Sequence, residues 1–165
     1  MKLISIRNLT YKEVLNDFDC GVELLNKYLK SYALKNDLDN IGKTYLCLED
    51  DKVIGFFTLA NGSIKRESLS INKTLPRYPI PVVLLARLAV DINHQRKHIG
   101  RFLIQNIIQI VYESSFYSAS FGIVVESKPE SIGFYELMGF EKTYNELVYF
   151  YPMEKIENYI VSKRH

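Results

Sequence analysis

Residues 82–101 read VVLLARLAVDINHQRKHIGR, and no other stretch constrains the fold as strongly. Val82–Val90 is apolar except for Arg87, the pattern of a central strand covered on both faces. Asp91 closes the run. A short polar loop follows, dense in cationic and amide side chains. A long helix starts near Ile99 and runs to Phe116, with Ile99, Phe102, Leu103, Ile107, Ile110 and Val111 as its apolar stripe. Phe121–Glu126 is a second buried strand. Strand, helix and strand over 82–126 make a right-handed crossover with both strands parallel in one sheet.

The other elements arrange themselves around this unit. Leu3–Leu9 alternates and reads as a strand. Cys20-Gly21 precedes Leu24, Leu25, Tyr28, Leu29, Tyr32 and Ala33 at helical spacing, ending about Lys35. Thr44–Leu48 and Val53–Ala60, joined by Glu49-Asp50-Asp51-Lys52, form a hairpin. Asn61–Pro81 is polar, carries Pro76, Pro79 and Pro81, and reads as a long loop with one helical turn. Pro129 suits the first turn of a helix ending at Met138, and Gly139 suits its cap. Phe140–Tyr144 and Leu147–Tyr151 close the sheet. After Pro152, the spacing of Met153, Ile156, Tyr159 and Ile160 predicts a short amphipathic helix. The result is an α/β (α+β) chain: a mixed sheet with helices on its faces. Connections are short and no linker interrupts the 165 residues, so 1–165 reads as a single domain.

Composition mainly excludes. Lys plus Arg is 21 against 19 for Asp plus Glu, a formal net charge of +2, so no bulk field draws nucleic acid. A local patch stays open, and Lys65, Arg66, Lys73 and Arg77 in the long loop are placed for one. Cys20 and Cys47 cannot make a disulfide scaffold and read as packing residues. Neither cysteine belongs to a CxxC pair, and the loop around His94 and His98, four apart, breaks any helix between them, so no metal is expected. The N-terminal MKLISIRNLTYKEV turns charged before any signal-peptide core, and the apolar stretch Ile80–Ala86 is far short of a membrane span. The reading is a cytoplasmic protein with no membrane partner.

The helix starting near Ile99 exposes orphan N–H groups and the positive end of its dipole, with Arg96, Lys97 and Arg101 close by in sequence. Such a start accepts a phosphate or pyrophosphate. The competing reading is that these cations only solvate a loop.

Here the chain resembles the GCN5-related N-acetyltransferases (GNAT). Leu88-Ala89-Val90 matches their L-x-V strand, and Gln95-Arg96-Lys97-His98-Ile99-Gly100 matches their [Q/R]-x-x-G-x-[G/A] loop, with His98 at the first glycine position. Ser131–Phe140, SIGFYELMGF, resembles their A-x-x-F-Y-x-x-x-G-F segment, with Lys128 where the family often has Asn. A narrower likeness, carried by FDCGVELLNKYLKSYA, PVVLLARLAVD, FYELMGF and VYFYPMEKIENYI, is to a branch containing toxins that acetylate aminoacyl-tRNA and pair with ribbon-helix-helix antitoxins.

The resemblance implies a GNAT fold, a mixed central sheet of about six to seven strands with splayed parallel strands forming an acyl-CoA cleft. It implies acetyl-CoA as acetyl donor and direct attack by an acceptor amine in a ternary complex. Tyr135 becomes the general acid for the departing thiolate; the competing reading is aromatic core. Leu88, Ala89 and Val90 act through their main chain on the pantetheine arm and acetyl carbonyl. Gln95, Arg96, Lys97, His98, Ile99, Gly100 and Arg101 surround the pyrophosphate, and Ser131 opens the second cofactor segment. Gly100 allows close approach; His98 brings a side chain where the family commonly has none.

Arg87 needs a partner, either a core carboxylate or an anionic group of the acceptor. Asp91 and Glu126 end their strands and are candidate proton relays. No residue stands out as general base. The acceptor ranges from a small primary amine to aminoacyl-tRNA. The function from another class, a non-catalytic acyl-CoA-binding module, rests on His98 and Lys128. The stripe Met153/Ile156/Ile160 is open to its own sheet, a second subunit in a homodimer, or an antitoxin.

Overall fold

Asp50 and Asp51 both take left-handed backbone, φ 51° and 62°, which is what a two-residue type I′ turn requires. They join β2 (Lys43–Glu49) to β3 (Lys52–Ile64), antiparallel, with Glu49 opposite Lys52. The computed structural model describes residues 1–164; His165 lies outside them. The other strands are β1 (Lys2–Ser5), β4 (Ile80–Val90), β5 (Gly122–Glu126), β6 (Glu141–Lys142) and β7 (Val148–Pro152). The helices are α1 (Glu23–Lys27), α2 (Ala33–Leu38), α3 (Ile99–Ser114), α4 (Ile132–Leu137) and α5 (Met153–Lys163). The strands form a seven-stranded mixed sheet in the order β1-β2-β3-β4-β5-β7-β6, with β4 and β5 parallel.

The chain divides into two compact units. One comprises Met1–Ala60 and Ala86–Ile104; the other comprises Asn61–Leu85 and the chain from Gln105 onward. In the first unit Phe56 is the centre of the core, with Phe18 edge-on to it at 5.5 Å and Tyr28 stacked on it at 6.5 Å. Buried Asp37 accepts the Thr44 N–H at 2.9 Å and donors from Arg7 and Lys43. Burial pushes its carboxyl up, but these donors outweigh burial and hold it below the usual carboxylate range.

Between α1 and α2, Tyr28–Tyr32 forms a π-helical turn. Leu25 is half-buried and Leu29, Ala33 and Asp37 are buried, a spacing of four. On an uninterrupted α-helix three such steps drift by about 120°. One residue inserted as a π turn offsets most of that drift and keeps the four in line. The expected stripe therefore fails at two places: Leu24 is 80% and Tyr32 48% exposed.

In the second unit Ile64, Leu69, Ile80, Val82, Val124 and Phe150 form the core. Gly122 is needed because a Cβ there would lie 2.3 Å from the Tyr151 carbonyl oxygen on β7. Gly139, φ 98°, caps α4 as expected. The open question over the C-terminal stripe is answered within this unit: Ile156 and Ile160 are buried, and α5 packs on β5 and β7.

Several boundaries differ from the sequence reading. β1 stops at Ser5, whose hydroxyl accepts the Arg7 N–H at 3.2 Å and starts a 3-10 turn that buries Ile6. β3 runs on to Ile64, into the segment expected as loop, and a 3-10 turn follows at Arg66–Ser68. That loop is anchored because Arg66 Nη1 donates to Leu75 O at 3.1 Å and the Tyr144 N–H to Ser68 O at 2.8 Å. β6 is only Glu141–Lys142, because Thr143 turns its hydroxyl onto the Asn145 and Val148 carbonyls.

Candidate active site

The first unit holds the end of β4, the loop after it and the start of α3. The Asp91 N–H donates to Ile54 O at 2.9 Å, which fixes the strand end. Its buried carboxylate accepts the N–H groups of Asn93 (3.0 Å) and Asp19 (3.2 Å) and meets His94 Nδ1 at 3.3 Å. Burial pushes this carboxyl up, yet those donors prevail and hold it below the ordinary range. The Ile92 N–H returns to Asp19 O at 2.7 Å. The Asp19 carboxylate accepts the Gly21 N–H (2.8 Å) and Asn26 Nδ2 (2.9 Å), and Asn26 Oδ1 accepts the Cys20 N–H (2.9 Å). Gln95 Nε2 donates to Val90 O at 3.0 Å and Cys20 O at 3.3 Å. The loop is thereby clasped to the turn at 19–22. Asp91, read as a candidate proton relay, is instead a structural acceptor with its oxygens engaged; Glu126 is exposed.

Arg96 and His98 each have φ 63°, alternating with Lys97 between them. This is the region glycine favours, so the family's glycine at position 98 has a conformational reason, and His98 holds that conformation without being glycine. Alternating left-handed residues point successive N–H groups into one concavity, an anion nest. The helical ladder of α3 begins with the Phe102 N–H to His98 O at 3.1 Å, so the N–H groups of Ile99, Gly100 and Arg101 precede it. Ile99 is buried and anchors the helix start; Gly100 is half-buried; Gln95, Arg96, Lys97, His98 and Arg101 are exposed. Orphan N–H groups, a nest and three cations on one short stretch fit a pyrophosphate. Among the described residues no three His, Cys, Asp or Glu side chains gather as metal ligands would.

On β4 the parallel ladder to β5 pairs Val83 with Ile123 and Leu84 with Val124, and ends there. Ala86 is exposed in mid-strand, so the strand is not covered on both faces as its apolar run predicted. Ala89 is buried, Leu88 and Val90 half-buried. The Val90 carbonyl is already taken by Gln95, which leaves it spoken for as an acceptor. Arg87 has no carboxylate among the described residues. Its guanidinium lies 3.6 Å from the Tyr28 ring centroid.

The second unit carries the Ser131–Phe140 motif. Ser131 is half-buried just ahead of α4, and its hydroxyl caps nothing. Tyr135 is 6% exposed, with Phe134 and Phe140 edge-on to its ring at 5.2 and 5.4 Å. Among the described residues its hydroxyl has no protein partner, and no sealed side-chain oxygen or nitrogen lacks one. The hydroxyl is therefore not sealed from solvent. Burial pushes its pKa up to about 12.

Asp19, Asn26 and Tyr28 were not singled out as site residues from sequence. The Asp91–Asp19 bond joins residues 72 apart in the chain, and no local pattern marks such a partner.

The model of the Acetyltransferase (GNAT) family matches residues 11–140. A "tRNA-acetylating toxin" of Mycobacterium tuberculosis (strain ATCC 25618 / H37Rv) is 31% identical over 104 residues, 62% of this chain. The match spans 62% of that relative's own length. AtaT complexed with acetyl-methionyl-tRNAfMet superposes with a TM-score of 0.85 at 27% identity, covering 96% of this chain and 98% of that one. AtaTR bound with AcCoA gives 0.83 at 26%, covering 96% and 97%. The KacTA–DNA complex gives 0.82 at 27%, covering 98% of both chains. Among the described residues no helix is long and apolar enough to cross a membrane. With its loop, its buried tyrosine and a family match running from Tyr11 to Phe140, the chain belongs to the Acetyltransferase (GNAT) family.

Proposed function

We propose that the chain is an N-acetyltransferase that uses acetyl-CoA to acetylate the α-amino group of an aminoacyl-tRNA, working in the cytoplasm as a toxin held in check by a ribbon-helix-helix antitoxin. The two compact units act as one catalytic domain over 1–165; β3, β4 and α3 are continuous through both. The observation that carries the donor is the loop of Arg96 and His98 leading into α3. The acceptor and partner are carried by likeness to AtaT, solved with acetyl-methionyl-tRNAfMet and with the C-terminus of the antitoxin AtaR.

Acetyl-CoA supplies the acetyl group as a thioester. The N–H groups at Gln95–Arg101, with Arg96, Lys97 and Arg101, hold its pyrophosphate, and His98 borders the same nest. The main chain of Leu88–Val90 takes the pantetheine arm, with N–H groups near Leu88–Ala89 polarising the carbonyl. Ser131 borders the cofactor. Tyr135 holds a proton at its hydroxyl and gives it up as negative charge develops on sulfur. With its pKa raised to about 12, it keeps that proton throughout the neutral range. The acetyl group passes straight to the amine: the N–C bond forms as the thioester C–S bond breaks, and the proton the amine loses leaves to water, from which Tyr135 regains the one it gave to sulfur. Cys20 and Cys47 are buried; burial pushes the Cys47 thiol up to about 11, so it offers no thiolate to carry the group, and the Cys20 thiol is turned onto the Val22 carbonyl at 3.6 Å.

The test is to incubate the protein with acetyl-CoA and charged tRNA, then analyse the released aminoacyl-adenosine by mass spectrometry. A gain of about 42 daltons, the mass of one transferred acetyl group less a proton, is the expected outcome. Acetyl-CoA turnover on polyamines or lysyl peptides with no modified aminoacyl-tRNA would remove the proposed acceptor.

A further inference from the structure

Arg87 breaks the apolar run of β4, and a half-buried guanidinium usually takes a carboxylate. Among the described residues this one has neither a carboxylate nor any hydrogen-bond acceptor; its recorded partner is the face of Tyr28, 3.6 Å away. Tyr28 is itself fixed, 6% exposed and stacked on Phe56. Stacking uses the face of the guanidinium and leaves its in-plane N–H donors unspent. Because no sealed side-chain nitrogen lacks a partner among the described residues, those donors stay reachable from solvent. A flat cation backed by a ring, with its fork reachable from solvent, suits two oxygens of a phosphate.

We infer that the Tyr28–Arg87 pair binds a phosphate of the acceptor's terminal nucleotide. The inference rests on the acceptor being an aminoacyl-tRNA, and the chemistry of that acceptor selects the anion. Its amino acid has lost its carboxylate to an ester with the ribose. The nearest negative charge to the reacting amine is therefore the phosphodiester on the 5′ side of the same nucleotide. Arg87 lies one residue from Leu88, so the pair would register the nucleotide beside the main chain that takes the acetyl group. The guanidinium's second face remains for a base or ribose edge.

Calorimetry with adenosine 5′-monophosphate, adenosine and inorganic phosphate tests this, with coenzyme A saturating so that its own phosphates occupy the loop. The monophosphate should bind ~10–100-fold tighter than adenosine and tighter than inorganic phosphate. Arg87→Lys, which keeps charge but loses the fork, should abolish most of that preference. Tyr28→Leu should weaken it, and Tyr28→Phe, which keeps the ring face, should restore it. Equal binding of adenosine and its monophosphate, inorganic phosphate binding as tightly as the nucleotide, or an Arg87→Lys preference equal to the parent's would each overturn the inference. Because no acetyl transfer is read, the two failures separate. A protein that binds the nucleotide but modifies no aminoacyl-tRNA upholds the phosphate site and refutes the acceptor. One that modifies aminoacyl-tRNA without preferring the phosphate refutes only the inference.

Discussion

The carboxamide of Gln95 donates to the carbonyl of Val90 at 3.0 Å, so the loop after β4 folds back on the strand that leads into it. The same group reaches the Cys20 carbonyl at 3.3 Å. A residue expected at the cofactor loop for its main chain thus also shapes that loop with its side chain. Gln95→Ala should loosen the nest without touching the chemistry. The KM for acetyl-CoA should rise ~5–30-fold while kcat holds, the equivalent of one or two lost hydrogen bonds. A fall in kcat at unchanged KM would show that the clasp serves something other than donor binding.

Asp91 gives the fold an acid sensitivity. Its carboxyl is held below the usual range, so it stabilises the protein above the unfolded value near 3.8 and ceases to as pH falls through the folded value. Asp37 works in the same direction. Asp91→Asn should cost ~2–4 kcal/mol at neutral pH, because one amide nitrogen cannot accept from the groups an oxygen served. It should also flatten the acid limb of a denaturation series between about pH 5 and 2. A variant as acid-labile as the parent would shift that sensitivity to Asp37.

Position 98 can be tested through stability alone. An ordinary residue at φ 63° carries a conformational cost that glycine avoids. His98→Gly should raise stability by ~0.5–1 kcal/mol with the loop's affinity for coenzyme A preserved or improved. His98→Val, β-branched in left-handed backbone, should lose ~1–2 kcal/mol. Thermal melts of the three proteins order them; valine melting at or above histidine would contradict the dihedral.

Tyr135→Phe should lower kcat by ~10²–10⁴-fold and leave acetyl-CoA affinity nearly unchanged, because the hydroxyl matters as the thiolate departs. The pH profile adds a second reading. A free tyrosine ionises near 10, whereas burial moves Tyr135 to about 12. The acid form therefore persists through about pH 10, and kcat should show no decline assignable to it below about 11. A kcat that halves at about pH 10 in folded protein would assign the proton to another group.

The sheet, the crossover helix and the Asp50-Asp51 turn were legible because each follows from local pattern: alternation, an apolar run, two residues suited to left-handed backbone. The loop from 95 to 100 was legible for the same reason as a turn into a helix start with unpaired N–H groups. The far end of β3 was not. Residues 61–63 look polar and small, yet the strand continues through them to Ile64, with Gly62 closely covered by Leu84. Arg87 presented two partners of equal merit in sequence, and neither pattern pointed to the Tyr28 ring, which lies 3.6 Å away where a core carboxylate was one expectation. Asp91 looked like any strand-end acid; its burial depends on Asp19, which approaches from a distant turn.

The π turn at Tyr28–Tyr32 carries one residue more than an α-helical ladder holds. Lys30 and Ser31 within it are exposed, so exchanges of side chain there meet little resistance. A deletion is another matter. Losing any one residue would let the ladder close as plain α-helix and rotate everything before the gap by about 100° against everything after it. Either Tyr28 would leave both Phe56 and Arg87, or Ala33 and Asp37 would leave their buried places. Lys30 and Ser31 are thus free in spelling while the segment is rigid in length, and in natural variants of this protein those two positions should change identity far more readily than the turn changes its number of residues.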